Sequence, residues 1–417
     1  MTMAETNRNR VVAGVGAVVV VAIAVAAIAY FALIRPAGPP DVKVGMLLGF
    51  TGPLEQMSPP MARAVQLVAT QVNAQGGILN NGRLTFVQAD DTCTNATAAQ
   101  NAADRLINTE RVVALLGAMC SGVTIATANT AALPAGVVMI SPSATSPALT
   151  TLNDRDLVFR TAPSDAFQGE VMARLLLKKN IRDIAITYVN NDYGKGFADS
   201  LAAAFMSAGG RVAANVSHEE GKSDYRAELG RLASSGSQNL VILAYASGSG
   251  NTLLRQAVES GSFRVYVGGD GMVGNELFTG VDQRAVENMI ATKPGAPKIQ
   301  GAEIFKDLAT RGGVDPNAVF SPQSYDAAFI LALAIEKKKS ATRDGLAQAV
   351  RDVSSPPGVT ILPGEWAKAK AALAAGMDIN YEGATGPVDF DKAGDVAGVI
   401  VEMKVANGMF SEVGQAL

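Results

Sequence analysis

Beyond residue 41, hydrophobic and polar positions follow two alternating rhythms. Short and nearly continuous apolar runs at 42–48, 84–89, 112–117 and 137–140 are separated by longer stretches at 58–73, 94–107 and 122–133. In these stretches apolar residues recur at helical spacing. A strand buried on both faces of a parallel sheet needs such continuous apolarity, so this series predicts a doubly wound α/β lobe. Ser58 followed by Pro59 and Pro60 predicts a capped helix start, and Gly76 with Gly77 its end. A second series has strands at 184–189, 211–216, 239–244 and 263–269, with helices near 166–179, 196–208, 224–234 and 251–259; it predicts a second α/β lobe. Helices at 299–310, 322–337 and 343–353 and a last strand at 399–405 are too few for a third sheet domain and are expected to rejoin the two lobes.

The segment 11–34 obeys neither rhythm. It is an uncharged apolar run of about 24 residues, about 36 Å long as a helix, and predicts one N-terminal transmembrane helix. Arg8 and Arg10 precede it and Arg35 follows, which places the N-terminus in the cytoplasm and the globular part outside, on the periplasmic or outer face of the membrane. Ala24-Val25-Ala26 and Ala27-Ile28-Ala29 resemble signal cleavage sites, but the run is longer than a signal peptide requires, which favours an uncleaved anchor.

Composition narrows the function. A chain of 417 residues, 48% hydrophobic and 18% charged, has material for two or three packed domains, and a net charge of -3 without a Lys/Arg block argues against a nucleic-acid surface. Its two cysteines, Cys93 and Cys120, would sit in an oxidising compartment, where pairing is favoured over a reactive thiol; a bridge closing about 27 residues stabilises by roughly 3.5 kcal/mol.

In parallel sheets, ligands bind beyond the carboxyl ends of the strands. In the first lobe those ends are Phe50-Thr51-Gly52, Asp90 to Cys93, Cys120-Ser121-Gly122 and Ser141 to Thr145, which are small, hydroxyl-bearing and suited to a carboxylate. Singly, each hydroxyl is explained as a helix cap or turn residue, and only their convergence points to a site. The second lobe offers Tyr193, Tyr245-Ala246-Ser247 and Asp270, whose carboxylate could receive an ammonium. Residues 269–274 satisfy G-x-G-x-x-G, but late in the second lobe and with only Glu287 as a poor ribose partner. No nucleophile elbow or phosphate loop is present. The sole histidine, His218, lies in SHEEGKSDY and reads as a solvated loop residue, so no histidine triad or zinc site can be assembled; no enzyme, cofactor or metal is expected.

With these residues the chain resembles the leucine/isoleucine/valine-type periplasmic binding proteins of ABC transporters. GFTGPLEQ (49–56), VNAQGGILNNGRL (72–84), DDTC (90–93), LLGAMCSG (115–122), MISPSATSPALT (139–150), FRTAPSD (159–165), NDYGKG (191–196) and GATGPVDFDKAGD (383–395) carry the resemblance. It implies a type I periplasmic-binding-protein fold, two Rossmann-like lobes joined by three crossovers that close like a hinge on one small molecule. Lobe 1 would comprise 41–161 and 293–378, and lobe 2 would comprise 162–292 and 379–417, after an anchor and linker at 1–40. The resemblance also implies a monomer that delivers an amino acid to ABC permease subunits. Ser121, Ala144 and Thr145 would hold the ligand carboxylate, Asp270 its amine, Tyr193 would close the site, and Cys93–Cys120 would match the family disulfide. Met57 and Ala246 stand where leucine-binding members carry an aromatic and a tyrosine, and Asp270 where they carry glutamate. These smaller groups imply a roomier pocket, for a larger or more polar amino acid or for another carboxylate or amide. A ligand sensor for a membrane signalling partner is the second reading.

Overall fold

A computed structural model describes residues 41–417; the expected transmembrane segment lies outside the described residues. Among the described residues no helix is long and apolar enough to cross a membrane.

The first lobe is built on β1 (Val42–Leu48), α1 (Ser58–Ala74), β2 (Leu84–Asp90), α2 (Ala96–Asp104), β3 (Ala114–Gly117), α3 (Ser121–Thr127), β4 (Val138–Ser141) and β5 (Val158–Arg160). Its five strands are parallel, in the order β2-β1-β3-β4-β5, and the doubly wound order turns at β1 and β3. Side chains of β1, β3 and β4 are buried almost throughout, which is why their sequences are apolar without alternation. Helix α1 begins with the expected prolines, but Met57 occupies its N-cap and the Ser58 hydroxyl instead donates to the Gly49 carbonyl at 2.6 Å, tying the loop after β1 to the helix.

The chain then crosses to the second lobe: α4 (Asp165–Lys178), β6 (Asp183–Val189), α5 (Asp192–Ser207), β7 (Arg211–His218), α6 (Arg226–Ala233), β8 (Asn239–Leu243), α7 (Asn251–Ser260), β9 (Val265–Gly268) and β10 (Ile290–Gly295). It returns to the first lobe with α8 (Gln300–Arg311), α9 (Ser321–Lys338), α10 (Leu346–Ser354), β11 (Val359–Ile361), α11 (Trp366–Ala374), β12 (Ile379–Gly383) and β13 (Gly386–Pro387). Strands β14 (Val399–Ala406) and β15 (Met409–Gln415) then complete a seven-stranded sheet in the order β15-β14-β10-β9-β8-β6-β7, parallel except at β14 and β15. The tail rejoins the lobes as its length requires, through three passages between the sheets.

One buried and one half-buried acid fix these passages. Asp326 on α9 accepts hydrogen bonds from Tyr381 Oη (2.7 Å), the Ala384 and Thr385 amides (2.8 and 2.9 Å) and the Thr385 hydroxyl (2.6 Å), holding β12 and β13 to the first lobe until the chain leaves for β14. Asp395, on the last passage, pairs with Arg160 at the end of β5 through two hydrogen bonds of 2.6 and 2.7 Å. The same guanidinium, 2% exposed, also reaches the Ser146 carbonyl (2.9 Å) and the Thr150 hydroxyl (2.9 Å). One buried cation therefore fastens the last passage to the loop after β4.

Candidate functional site

The C-terminal ends of the strands in both sheets face each other, and the loops beyond them meet. The Ser146 hydroxyl donates to the Asp192 carbonyl at 2.9 Å across the seam, and Lys293 Nζ on β10 donates to the Asn317 carbonyl at 2.9 Å. Between the lobes lies a cavity of about 20 Å³ lined by Leu54, Met119, Cys120, Ser121, Ser143, Tyr193, Tyr245, Asp270, Gly271 and Phe320. That is space for about one water, so the lobes stand closed and a larger guest must enter through an opened cleft.

The floor comes from the first lobe. Cys93 and Cys120 are disulfide-bonded, as expected, which joins the loop after β2 to the loop after β3. Beneath them Asp91, fully buried, accepts from the Met119 amide (2.7 Å) and the Cys93 amide (2.9 Å); burial pushes its carboxyl up to about 6 despite these bonds. Ser143 Oγ donates to the Met119 carbonyl at 2.8 Å. Ser121 Oγ accepts the Ser146 amide at 3.1 Å, which leaves its own proton available to a ligand. Thr145 is buried and its hydroxyl has no hydrogen-bond partner.

The roof comes from the second lobe. Tyr193, on the first turn of α5, stacks on Tyr245 at 5.5 Å and 17°. Its hydroxyl accepts the Gly271 amide at 3.2 Å and donates to Asp270 Oδ1 at 3.3 Å. The glycines flanking Asp270 follow from this packing: a Cβ at Gly269 would stand 2.9 Å from Tyr193 Oη, and one at Gly271 would stand 2.6 Å from the Ala244 carbonyl. The G-x-G spacing thus makes room for a tyrosine. Gln168 Nε2 also reaches Asp270 Oδ1, at 3.1 Å, and is held by Thr292 Oγ1 and O at 3.1 Å each.

A residue that the sequence did not single out completes the site. Asp165, the first residue of α4, donates its amide to the Thr145 carbonyl at 2.8 Å, and its carboxylate is fully buried with no hydrogen-bond partner on either oxygen. Burial, followed by the nearby charge of Asp270, holds its carboxyl well above the usual range, with only partial relief from the Thr145 hydroxyl, which stands near it outside hydrogen-bond geometry, and from the Arg160 charge. Burial likewise pushes Asp270 up to about 6, opposed by its own backbone, Tyr193 and Gln168. Of the two acids Asp270 lines the small cavity and Asp165 stands near it outside the lining; among the described residues neither forms an ion pair, so a cation entering beside Asp270 would be stabilised. In sequence, Asp165 resembles a helix-start acid after the Ser164 cap, and only the fold brings it to Asp270.

The other expected residues fall differently. Ala144 is buried beside Thr145, while Ala246 lies in the apolar core of the second lobe. Met57, 5% exposed, lines a neighbouring and larger cavity. His218 corrects the sequence reading. Although acids follow it in the chain, its ring turns inward at the end of β7, is 2% exposed, and shares hydrogen bonds with Thr187 Oγ1 (2.8 Å) and Ser249 Oγ (3.1 Å). Burial pulls its pKa to about 4, so the ring is neutral at pH 7.

Two α/β lobes that meet at their strand ends around a small cavity lined by aromatic, hydroxyl and carboxylate side chains define a solute-binding receptor. The model of the receptor family ligand binding region matches residues 60–405. The leucine-, isoleucine-, valine-, threonine- and alanine-binding protein of Pseudomonas aeruginosa is 32% identical over 316 residues, 74% of this chain and 82% of that one. A chemotactic signal transduction system substrate-binding protein of Halobacterium salinarum is 28% identical over 383 residues, 89% of each chain. The solved leucine-binding protein of Thermotoga maritima superposes with a TM-score of 0.74 at 26% identity, over 89% of this chain and 97% of that one. The chain belongs to this receptor family, as a leucine/isoleucine/valine-type periplasmic binding protein of type I fold. The family is one of solute receptors rather than enzymes.

Proposed function

We propose that the chain is the extracytoplasmic receptor of an ABC importer and closes its lobes around one amino acid for delivery to permease subunits, acting as a monomer tethered by the N-terminal segment. The observation that carries this reading is that one cavity brings the buried acid Asp270 together with the Ser121 hydroxyl, with a second buried acid, Asp165, near Asp270 outside the lining. An α-ammonium beside Asp270 relieves the cost of burying two like charges, and an α-carboxylate completes the open hydroxyl donors. Ala144 and Thr145 shape the carboxylate side, and Tyr193 carries Asp270 in as the lobes close. The names of the relatives, several of them amino-acid-binding proteins, support the same class.

Titration calorimetry of the full chain against α-amino acids and against the same acids lacking the amine tests this reading. Heat is expected only from the amine-bearing set, and equal binding of both sets, or of neither, overturns it. The chemotactic relative supports a second reading, in which closure is reported to a membrane signalling partner instead of a permease.

A further inference from the structure

The small cavity has a large neighbour. A cavity of about 560 Å³ lies beside it between the lobes, within the range of small-molecule pockets. The same three chain segments wall both spaces: Leu54 lines the small one and Met57 the large, Gly271 the small and Val273 the large, Phe320 the small and Val319 the large. A ligand held by its amino and carboxylate groups at Asp270 and Ser121 therefore finds room for a side chain in this larger space once the lobes part along the wall of Met57, Val273 and Val319.

Lys293 determines what that side chain should carry. It lines the larger cavity and is 4% exposed. Of its three N–H donors, one is used by the Asn317 carbonyl at 2.9 Å, and Glu412 Oε2 stands off at 4.0 Å. The cavity is also lined by Glu276, Asp315 and Glu412, of which Asp315 is engaged by the Asn317 amide at 2.9 Å. One buried cation against three carboxylates disfavours a ligand with a second negative charge. An acceptor for the lysine combined with a donor for the glutamates is the pattern of a carboxamide.

We propose that this cavity is the specificity chamber of the receptor and that Lys293 selects an α-amino acid whose side chain ends in a neutral carboxamide or a group of the same donor and acceptor pattern. The inference rests on the amino-acid reading above and sharpens it. It also explains why a methionine stands at position 57, since a bulkier ring there would narrow the chamber.

The test is calorimetry on the full chain with alanine, norleucine, glutamine and glutamate, repeated on Lys293→Met. Norleucine matches glutamine in side-chain length without its polar end. The expected result is glutamine at least about tenfold tighter than norleucine and tighter than glutamate, with the glutamine-over-norleucine preference lost or reversed in the variant. Norleucine equal to or tighter than glutamine, with alanine bound, overturns the inference and leaves the amino-acid reading standing. Glutamate tighter than glutamine overturns the neutral class, and an unchanged preference in Lys293→Met overturns the role of the lysine. Silence from all four overturns both readings. The preference of the unaltered protein is decisive even if the variant does not fold.

Discussion

Replacing Asp270 with asparagine isolates charge from shape. Asp270 Oδ1 accepts from Gln168 Nε2 at 3.1 Å and from Tyr193 Oη at 3.3 Å, and the amide oxygen of an asparagine accepts both bonds unchanged. What disappears is the one buried acid that lines the cavity. Removing one partner of a desolvated charge pair costs about 2 to 5 kcal/mol, and because Asp165 remains nearby the lower part of that range applies, about 2 to 3 kcal/mol. At 1.4 kcal/mol per tenfold, Kd for an α-amino acid should rise roughly 30- to 150-fold. A carboxylic acid of the same skeleton without the amine should bind the variant as well as or better than the native protein, because a repulsive charge has gone. The assay is paired titration calorimetry with amine-bearing and amine-lacking ligands, and near-ultraviolet circular dichroism confirms that the Tyr193–Tyr245 stack survives. If both ligand sets weaken by the same factor, Asp270 supports the loop rather than meeting the ammonium, and the reasoning fails.

Three further outcomes follow from the packing of the two lobes and their buried groups. Gly196→Ala adds a Cβ 2.8 Å from Pro147 Cδ and 3.0 Å from Ser146 Oγ across the seam, so affinity for every ligand should fall by a common factor, while α5 gains about 1 kcal/mol of helix propensity; unchanged affinity would refute the seam contact. Arg160→Met strands Asp395 and should cost about 3 to 5 kcal/mol in chemical denaturation, whereas Arg160→Met combined with Asp395→Leu should cost less than the single change, and a double variant less stable than the single would contradict the ion-pair account. Acidity acts in two opposing directions. Asp91, Asp270 and Asp326, raised from 3.8 to about 6, contribute stability that is complete below pH 3.8 and lost as pH rises through 6. His218, lowered from 6.5 to about 4, contributes stability that is present above pH 6.5 and lost as pH falls towards 4. With these three acids, and Asp165 raised in the same sense, against His218, the ligand-free protein should melt lower at about pH 7.5 than at about pH 5, and saturation with an ammonium-bearing ligand should flatten that slope; a steeper slope in the bound protein would rule out neutralisation of Asp270.

The parts of the fold that were legible in sequence are those in which one pattern had one cause. The interior strands β1, β6 and β8 are covered on both faces and read as nearly continuous apolar runs. Strand β15 escaped because it lies at a sheet edge with most of its side chains exposed, and β10 because it carries Thr292, Lys293 and Pro294. Helix α11 was hidden in alanine-rich sequence, and its place is fixed by Trp366, whose indole donates to the Gly77 carbonyl at 3.1 Å from the far end of the chain. In the site, the loops that follow strands were readable from position alone. Asp165 and His218 were not, since their local sequences resemble a helix cap and a charged loop, and only tertiary neighbours turn both inward.

The cystine has an effect beyond holding two loops together. It joins the loops after β2 and β3, which carry Asp91 and Ser121, so on the proposed reading the first-lobe side of the site is covalently tied before any ligand arrives. Without oxidation, the packed strands and helices of that lobe would still cohere, yet the floor would wander. On that reading, competence to recognise a solute is linked to the redox state of the surroundings in which the chain matures, because reduction frees the Cys120 loop that carries Ser121.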